Sequence, residues 1–157
     1  MPAEVITGDL IYCDATYIVH QCNCVSKKAA HLALTVFTHF SYSDVYSKRE
    51  EKSRMGNIEI RGYGKKQRFV IAMFAQKYPG SSKYTNDTPE IREKAFAECL
   101  RGIEGIAGVH SIAFPWCIGC GAAGGDWIVY KRMIDEFADR VDPFVEVKII
   151  KLGEKHV

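Results

Sequence analysis

The sequence predicts a three-layer α/β/α sandwich on a mixed, mostly parallel sheet, and three observations carry that expectation. Short apolar runs with strand character alternate with amphipathic helical stretches along nearly all of the 157 residues. A glycine cluster, Gly119, Gly121, Gly124 and Gly125, stands between one such run and the helix that follows it. Hydrophobic residues make up 47% and charged residues 25% of the chain. That balance suits one buried core, and with no linker-like or low-complexity segment, residues 1–157 are expected to form a single domain.

The chain opens with a strand at 4–8 (EVITG) and a second at 17–23 (YIVHQCN), whose apolar start and polar end lead through an elbow into a helix near 28–40. Strands at 57–62 (NIEIRG) and 68–76 (RFVIAMFAQ) follow. A helix over 89–104 starts with Thr88 as N-cap and Pro89 at the first helical position, where its missing N–H costs nothing. Its spacing puts Phe96, Cys99, Leu100 and Ile103 on one face. The strand in HSIAFPW runs into the glycines, a helix over 126–139 turns Trp127, Tyr130, Ile134 and Phe137 inward, and FVEVKIIKL closes the chain. The longest polar run, YSKREEKSRMG at 46–56, mixes both charge signs and reads as a solvated helix end or loop.

Composition narrows the function classes. The net charge of +2, without a basic stripe interleaved with aromatics, argues against duplex nucleic acid as a partner. No apolar stretch approaches the roughly 20 residues of a membrane span and the N-terminus lacks a signal core, so a cytoplasmic or nuclear protein that binds no membrane is expected. Six cysteines in this length fit reduced thiols better than a disulfide framework. Cys22 and Cys24 with Cys117 and Cys120 also spell four thiols that tetrahedral zinc would accept, but at a spacing unlike a zinc knuckle; no metal and no cofactor are expected.

Glycines between a strand end and a helix N-terminus let backbone N–H groups approach an anion, with the helix dipole adding positive potential. A tight turn that needs positive φ would call for glycine equally well. The lysine of a P-loop is missing. In the other elbow, Asn23 suits either recognition of sugar hydroxyls or an Asx-type cap, and His20 suits either proton transfer or a hydrogen-bonded place in the core.

Taken together, GDL at 8–10, the strand YIVHQCN ending in asparagine, and IGCGAAGGDW at 118–127 resemble the macro domain, the α/β/α module that binds ADP-ribose. The likeness spans nearly the whole chain. The run His20, Cys22, Asn23, Cys24 is similar to the branch containing ADP-ribose-1″-phosphate phosphatases and terminal ADP-ribose protein glycohydrolases. The resemblance implies that Asp9 accepts from the adenine amino group beside the Leu10 N–H, and that Asn23 contacts the distal ribose. It also implies that Gly119, Cys120, Gly121, Ala122, Ala123, Gly124 and Gly125 form the loop over the diphosphate.

The chain departs from the family pattern at two places. SKKAAHLA replaces the glycines that usually follow the asparagine strand, bringing Lys27, Lys28 and His31 in their stead, and Ala123 stands where an aromatic or a catalytic aspartate is common. For catalysis this leaves His20 and Asp126 as acid-base candidates, Asn23 to orient the ribose, and Lys77 as a loose match to the glycohydrolase lysine. The expected function is ADP-ribose binding with hydrolysis of a derivative, either ADP-ribose-1″-phosphate or protein-linked ADP-ribose. The alternative is a reader without turnover, and ADP-ribosylated proteins are the expected macromolecular partners.

Overall fold

A computed structural model describes residues 2–141 and 143–153. Nine elements run in the order β1 (Glu4–Thr7), β2 (Tyr17–Asn23), α1 (His31–His39), β3 (Ile58–Arg61), β4 (Phe69–Gln76), α2 (Pro89–Glu104), β5 (Ser111–Pro115), α3 (Trp127–Val141) and β6 (Glu146–Lys151), with short 3₁₀ turns at Leu10–Tyr12 and Ser41–Ser43. The strands form one sheet in the order β1-β6-β5-β2-β4-β3. Every pairing is parallel except that of the edge strand β3 with β4.

Strands β2 and β4 lie in the interior of the sheet and are buried on both faces, which is why they read as continuous apolar runs rather than alternating ones. Successive side chains still point to opposite sides. Val19, Ile71, Met73, Ile112 and Phe114 join the core under α2 and α3, whereas Ile18, Cys22, Val70, Ala72 and Ala113 join the core under α1. Helix α2 begins as its sequence requires, with Thr88 Oγ1 accepting the Ile91 N–H at 3.2 Å, and it buries Phe96, Cys99, Leu100 and Ile103. Helix α3 buries Tyr130, Ile134 and Phe137, while Trp127 is only partly covered and packs at a tilt against Trp116, ring centres 5.0 Å apart.

The helix expected at 28–40 starts only at His31, after an irregular segment, and His31 itself has φ of 54°. The polar run at 46–56 is not simply solvated, since Tyr46 is among the buried core residues. Because β1, β2, β4, β5 and β6 run the same way, the segments leaving their C-terminal ends gather along one edge of the sheet. The candidate residues Asp9, Asn23, Lys77 and the glycine loop all leave from that edge.

Candidate functional site

A cleft of about 300 Å³ opens over the ends of β2, β4 and β5. One wall is the glycine loop, from Pro115 through Gly119 and Gly121 to Ala123; the other is Gln21, Asn23 and the elbow carrying Ser26, Lys28, Ala30 and His31. Leu32 and Ala33 of α1 and Tyr46, Gln76, Pro79 and Gly80 complete it.

The glycines have different reasons to be there. A Cβ on Gly119 would sit 2.8 Å from the Tyr130 ring and 2.9 Å from Gln21 Oε1, and one on Gly125 would sit 2.5 Å from the Gly119 carbonyl oxygen. Those two positions are bare so that the loop can fold onto α3. Gly124 is bare because its φ is 75°. Only Gly121 has open space on its side-chain side, and it lines the cleft. Ala122 and Ala123 line it as well, whereas Cys120, Gly124 and Gly125 form the loop's support.

Asn23 forms the Asx-type turn that its sequence allows, and it also lines the cleft. Its Oδ1 accepts from the Val25 N–H at 3.0 Å and the Ser26 N–H at 2.8 Å, an Asx-type turn that fixes the elbow. Both Oδ1 lone pairs are thereby used, so the amide can offer the cleft only its Nδ2 donors. Gln21 Nε2 donates to Gln76 Oε1 at 2.7 Å and Gln76 Nε2 to the Tyr78 carbonyl at 2.9 Å, which leaves Gln21 Oε1 buried without a donor.

The loop after β4 is locked by an ion pair that sequence reasoning missed. Arg92 from α2 meets Asp87 at 2.6 Å, and the two side chains are 4% and 0% exposed. Burial alone would raise the Asp87 pKa, but hydrogen bonds from Arg92 and from the Lys77 and Tyr78 N–H groups outweigh it and hold the carboxyl below its usual 3.8. Arg92 also donates to the carbonyls of Gly80, Tyr78 and Ala123, so one guanidinium ties this loop to the glycine loop. Nothing in the local pattern around Arg92 separates it from a surface arginine; only the contacts reveal it.

The four residues expected to act in catalysis are not brought together. His20 lies on the face of β2 turned toward α1, its ring edge-on to Phe37 at 5.3 Å and 1% exposed, with burial lowering its pKa to about 4. It is a core residue outside the cleft, because the alternation along β2 sends residues 18, 20 and 22 beneath the helix. Asp126 uses Oδ1 to accept the Ile128 N–H at 3.0 Å as the cap of α3, and it does not line the cleft. Lys77 lies outside the lining too, with Nζ 5.9 Å over the Tyr78 ring. Asn23 alone of the four reaches it. The titratable side chains that do line the cleft are Lys28, His31, Tyr46 and Cys117, and no carboxylate is among them.

At the end of β1, Asp9 caps the 3₁₀ turn by accepting the Ile11 N–H at 2.9 Å on Oδ1 and leaves Oδ2 toward solvent, while the Leu10 side chain anchors the turn in the core. Thr7, Gly8, Asp9, Tyr12 and Ile150 line a second cleft here. The Trp116 N–H donates to the Ile150 carbonyl at 2.9 Å, so the two clefts share a wall. Arg68 holds the whole turn down through the carbonyls of Ile11, Cys13 and Ala15.

Burial pushes the Cys22 and Cys24 thiols up to about 12 and about 11, and that of Cys120 to about 12. Among the described residues no three histidines, cysteines or carboxylates are grouped to hold a metal ion, so the four thiols considered from the sequence are not assembled into a ligand set.

Sheet order, flanking helices and the cleft over the strand ends define the macrodomain fold. The chain is similar in structure to the macrodomain of Thermus aquaticus DarG, with a TM-score of 0.72 and 20% identity over 97% of this chain and 98% of that one. Thermosipho africanus DarTG, solved with ADP-ribose, superposes with a TM-score of 0.68 and 17% identity over 98% of this chain and 43% of that one. The Trypanosoma brucei macrodomain, also solved with ADP-ribose, gives 0.66 and 14% over 96% of this chain and 63% of that one. No protein-family model and no curated protein matches the sequence.

Proposed function

We propose that this protein binds ADP-ribose along the C-terminal edge of its sheet. The observation that carries the proposal is the pairing of the two clefts, a carboxylate at the end of β1 and a loop with open backbone at Gly121 beyond β5, in a fold solved with ADP-ribose in two other proteins. Asp9 Oδ2 receives the adenine amino group, a pairing of acceptor with donor. Gly119 to Gly125 shape the loop over the diphosphate, with the start of α3 behind it. Asn23 Nδ2 donates to a hydroxyl oxygen of the distal ribose.

A second reading, turnover of an ADP-ribose derivative, is favoured by Lys28 and His31 on the wall where other macro domains carry glycines. In ADP-ribose-1″-phosphate hydrolysis, water attacks phosphorus and the phosphorus–oxygen bond to the ribose breaks. Lys28 balances charge on the phosphoryl oxygens and His31 delivers the proton to the leaving oxygen, so the products are ADP-ribose and inorganic phosphate.

Thermal denaturation with millimolar ADP-ribose tests the first reading, since a ligand selective for the folded state raises the melting temperature by mass action. A positive shift that exceeds the shift with AMP is the expected result. An unchanged melting temperature would end the binding proposal. Phosphate release from ADP-ribose-1″-phosphate and ADP-ribose release from a modified protein then separate enzyme from reader. Binding without either release leaves the reader. Turnover lost in His31→Ala supports the phosphatase route, and turnover lost only in Lys77→Ala points instead to lysine attack on the ribose.

A further inference from the structure

We propose that Arg49, seated on Tyr46, is a positioning residue that sets Asn23 in the cleft; the inference rests on the ADP-ribose reading above. Strands β2 and β4 pair in regular register as far as Cys22 and Phe74, and then the register shifts so that Asn23 lies opposite Gln76. At that irregularity the backbone of Asn23 is taken over by side chains from the polar run at 46–56. The Asn23 N–H donates to the Tyr46 hydroxyl at 2.8 Å, and the Asn23 carbonyl accepts from Arg49 Nη2 at 3.1 Å. The same Nη2 donates to Ser53 Oγ at 3.2 Å, and the Ser53 N–H returns to the Cys24 carbonyl at 3.0 Å. Residues 23 and 24 are thus bracketed by three bonds from one segment.

Arg49 is committed to this task rather than to charge pairing. Glu50 and Glu51 are its sequence neighbours, yet among the described residues no carboxylate pairs with it. Its guanidinium lies 5.0 Å over the Tyr46 ring and 5.7 Å from the centre of Phe74, a seat that orients the fork toward Asn23. Its Nη1 is buried without an acceptor, which costs stability. With the backbone of Asn23 clamped and Oδ1 spent on the elbow, Nδ2 has a single direction left.

The test is Arg49→Met, which keeps the stem between the rings and removes both the clamp and the orphaned N–H. The expected result is a melting temperature within a few degrees of wild type together with ADP-ribose affinity weakened by about three- to tenfold, the scale of one hydrogen bond. In an Asn23→Ala background Arg49→Met should weaken binding no further, because the arginine acts through the asparagine. Arg49→Lys, which can reach one acceptor, should recover part of the loss. A ligand-free readout runs beside these: in ¹⁵N relaxation the Asn23 side-chain amide is ordered in wild type and mobile in Arg49→Met. An equally ordered amide in both proteins overturns the proposal, as does an affinity loss that adds fully to that of Asn23→Ala. Absence of ADP-ribose binding by wild type overturns the ligand assignment instead, with the amide measurement still deciding the role of Arg49.

Discussion

Burial of His20 makes the stability of this protein depend on pH in a defined window. In the unfolded chain the imidazole takes a proton near pH 6.5; in the folded chain burial lowers that pKa to about 4. Between those values the unfolded state binds more protons, so stability is complete above about 6.5, falls as pH drops toward 4, and levels off below. At about 1.4 kcal/mol per unit the full difference is about 3.4 kcal/mol, of which about 2 kcal/mol is reached between pH 7 and pH 5. For a domain of this size that corresponds to roughly 4 to 8 °C in melting temperature. Asp44 and Asp87 have carboxyls held below 3.8, so their losses begin at more acid pH and leave the window clear. The assay is thermal unfolding of wild type and His20→Leu in matched buffers from pH 7.5 to pH 5. Leucine fits the apolar seat against Phe37 and carries no proton, so whatever it costs at neutral pH, its disadvantage should shrink or reverse by pH 5 by that same 4 to 8 °C. Parallel curves for the two proteins across the window would refute the reasoning, because they would mean that His20 protonates in place without penalty.

Gly121→Ala and Gly125→Ala should separate binding from folding: the first adds a methyl to open cleft, leaving stability within about 1 kcal/mol of wild type and weakening ADP-ribose in a titration. The second drives a Cβ to 2.5 Å from the Gly119 carbonyl and should lower the melting temperature outright. Arg92→Met strands the buried Asp87 carboxylate and should cost about 3 to 5 kcal/mol in urea unfolding; the double variant with Asp87→Asn should recover part of it. Asp9→Ala removes the cap on Ile11 and should cost about 0.5 to 2 kcal/mol of stability, while weakening ADP-ribose by about 1 to 3 kcal/mol in calorimetry, the scale of a hydrogen bond to a charged group.

What the sequence determined by itself are the features written in local periodicity and local chain stiffness. Strand β2 and helix α2 occupy the expected residues, because a buried apolar run bounded by polar residues and a Thr-Pro start are complete signals within a few positions. The glycine cluster also announced a strand-to-helix loop, since positive φ at Gly119 and Gly124 is a local demand. The start of α1 was legible less well: the elbow turns at Val25 and Ser26, whose N–H groups the Asn23 side chain accepts, and the helix begins only at His31, which apolar spacing does not report. Tertiary structure alone decided which side of β2 faces the cleft. Period-two alternation fixes that His20 and Asn23 point to opposite sides, but only the packing of α1 over Ile18, His20 and Cys22 says which side the helix covers at the end of the strand. It also decided that Tyr46 and Arg92 are buried, Arg49 is half-buried, and all three, ordinary members of polar stretches, are bonded across 23 to 31 residues of chain. Such partners are chosen by the meeting of strand ends in space, and a linear sequence carries no signal for a hydrogen bond whose donor and acceptor become neighbours only once the sheet has formed.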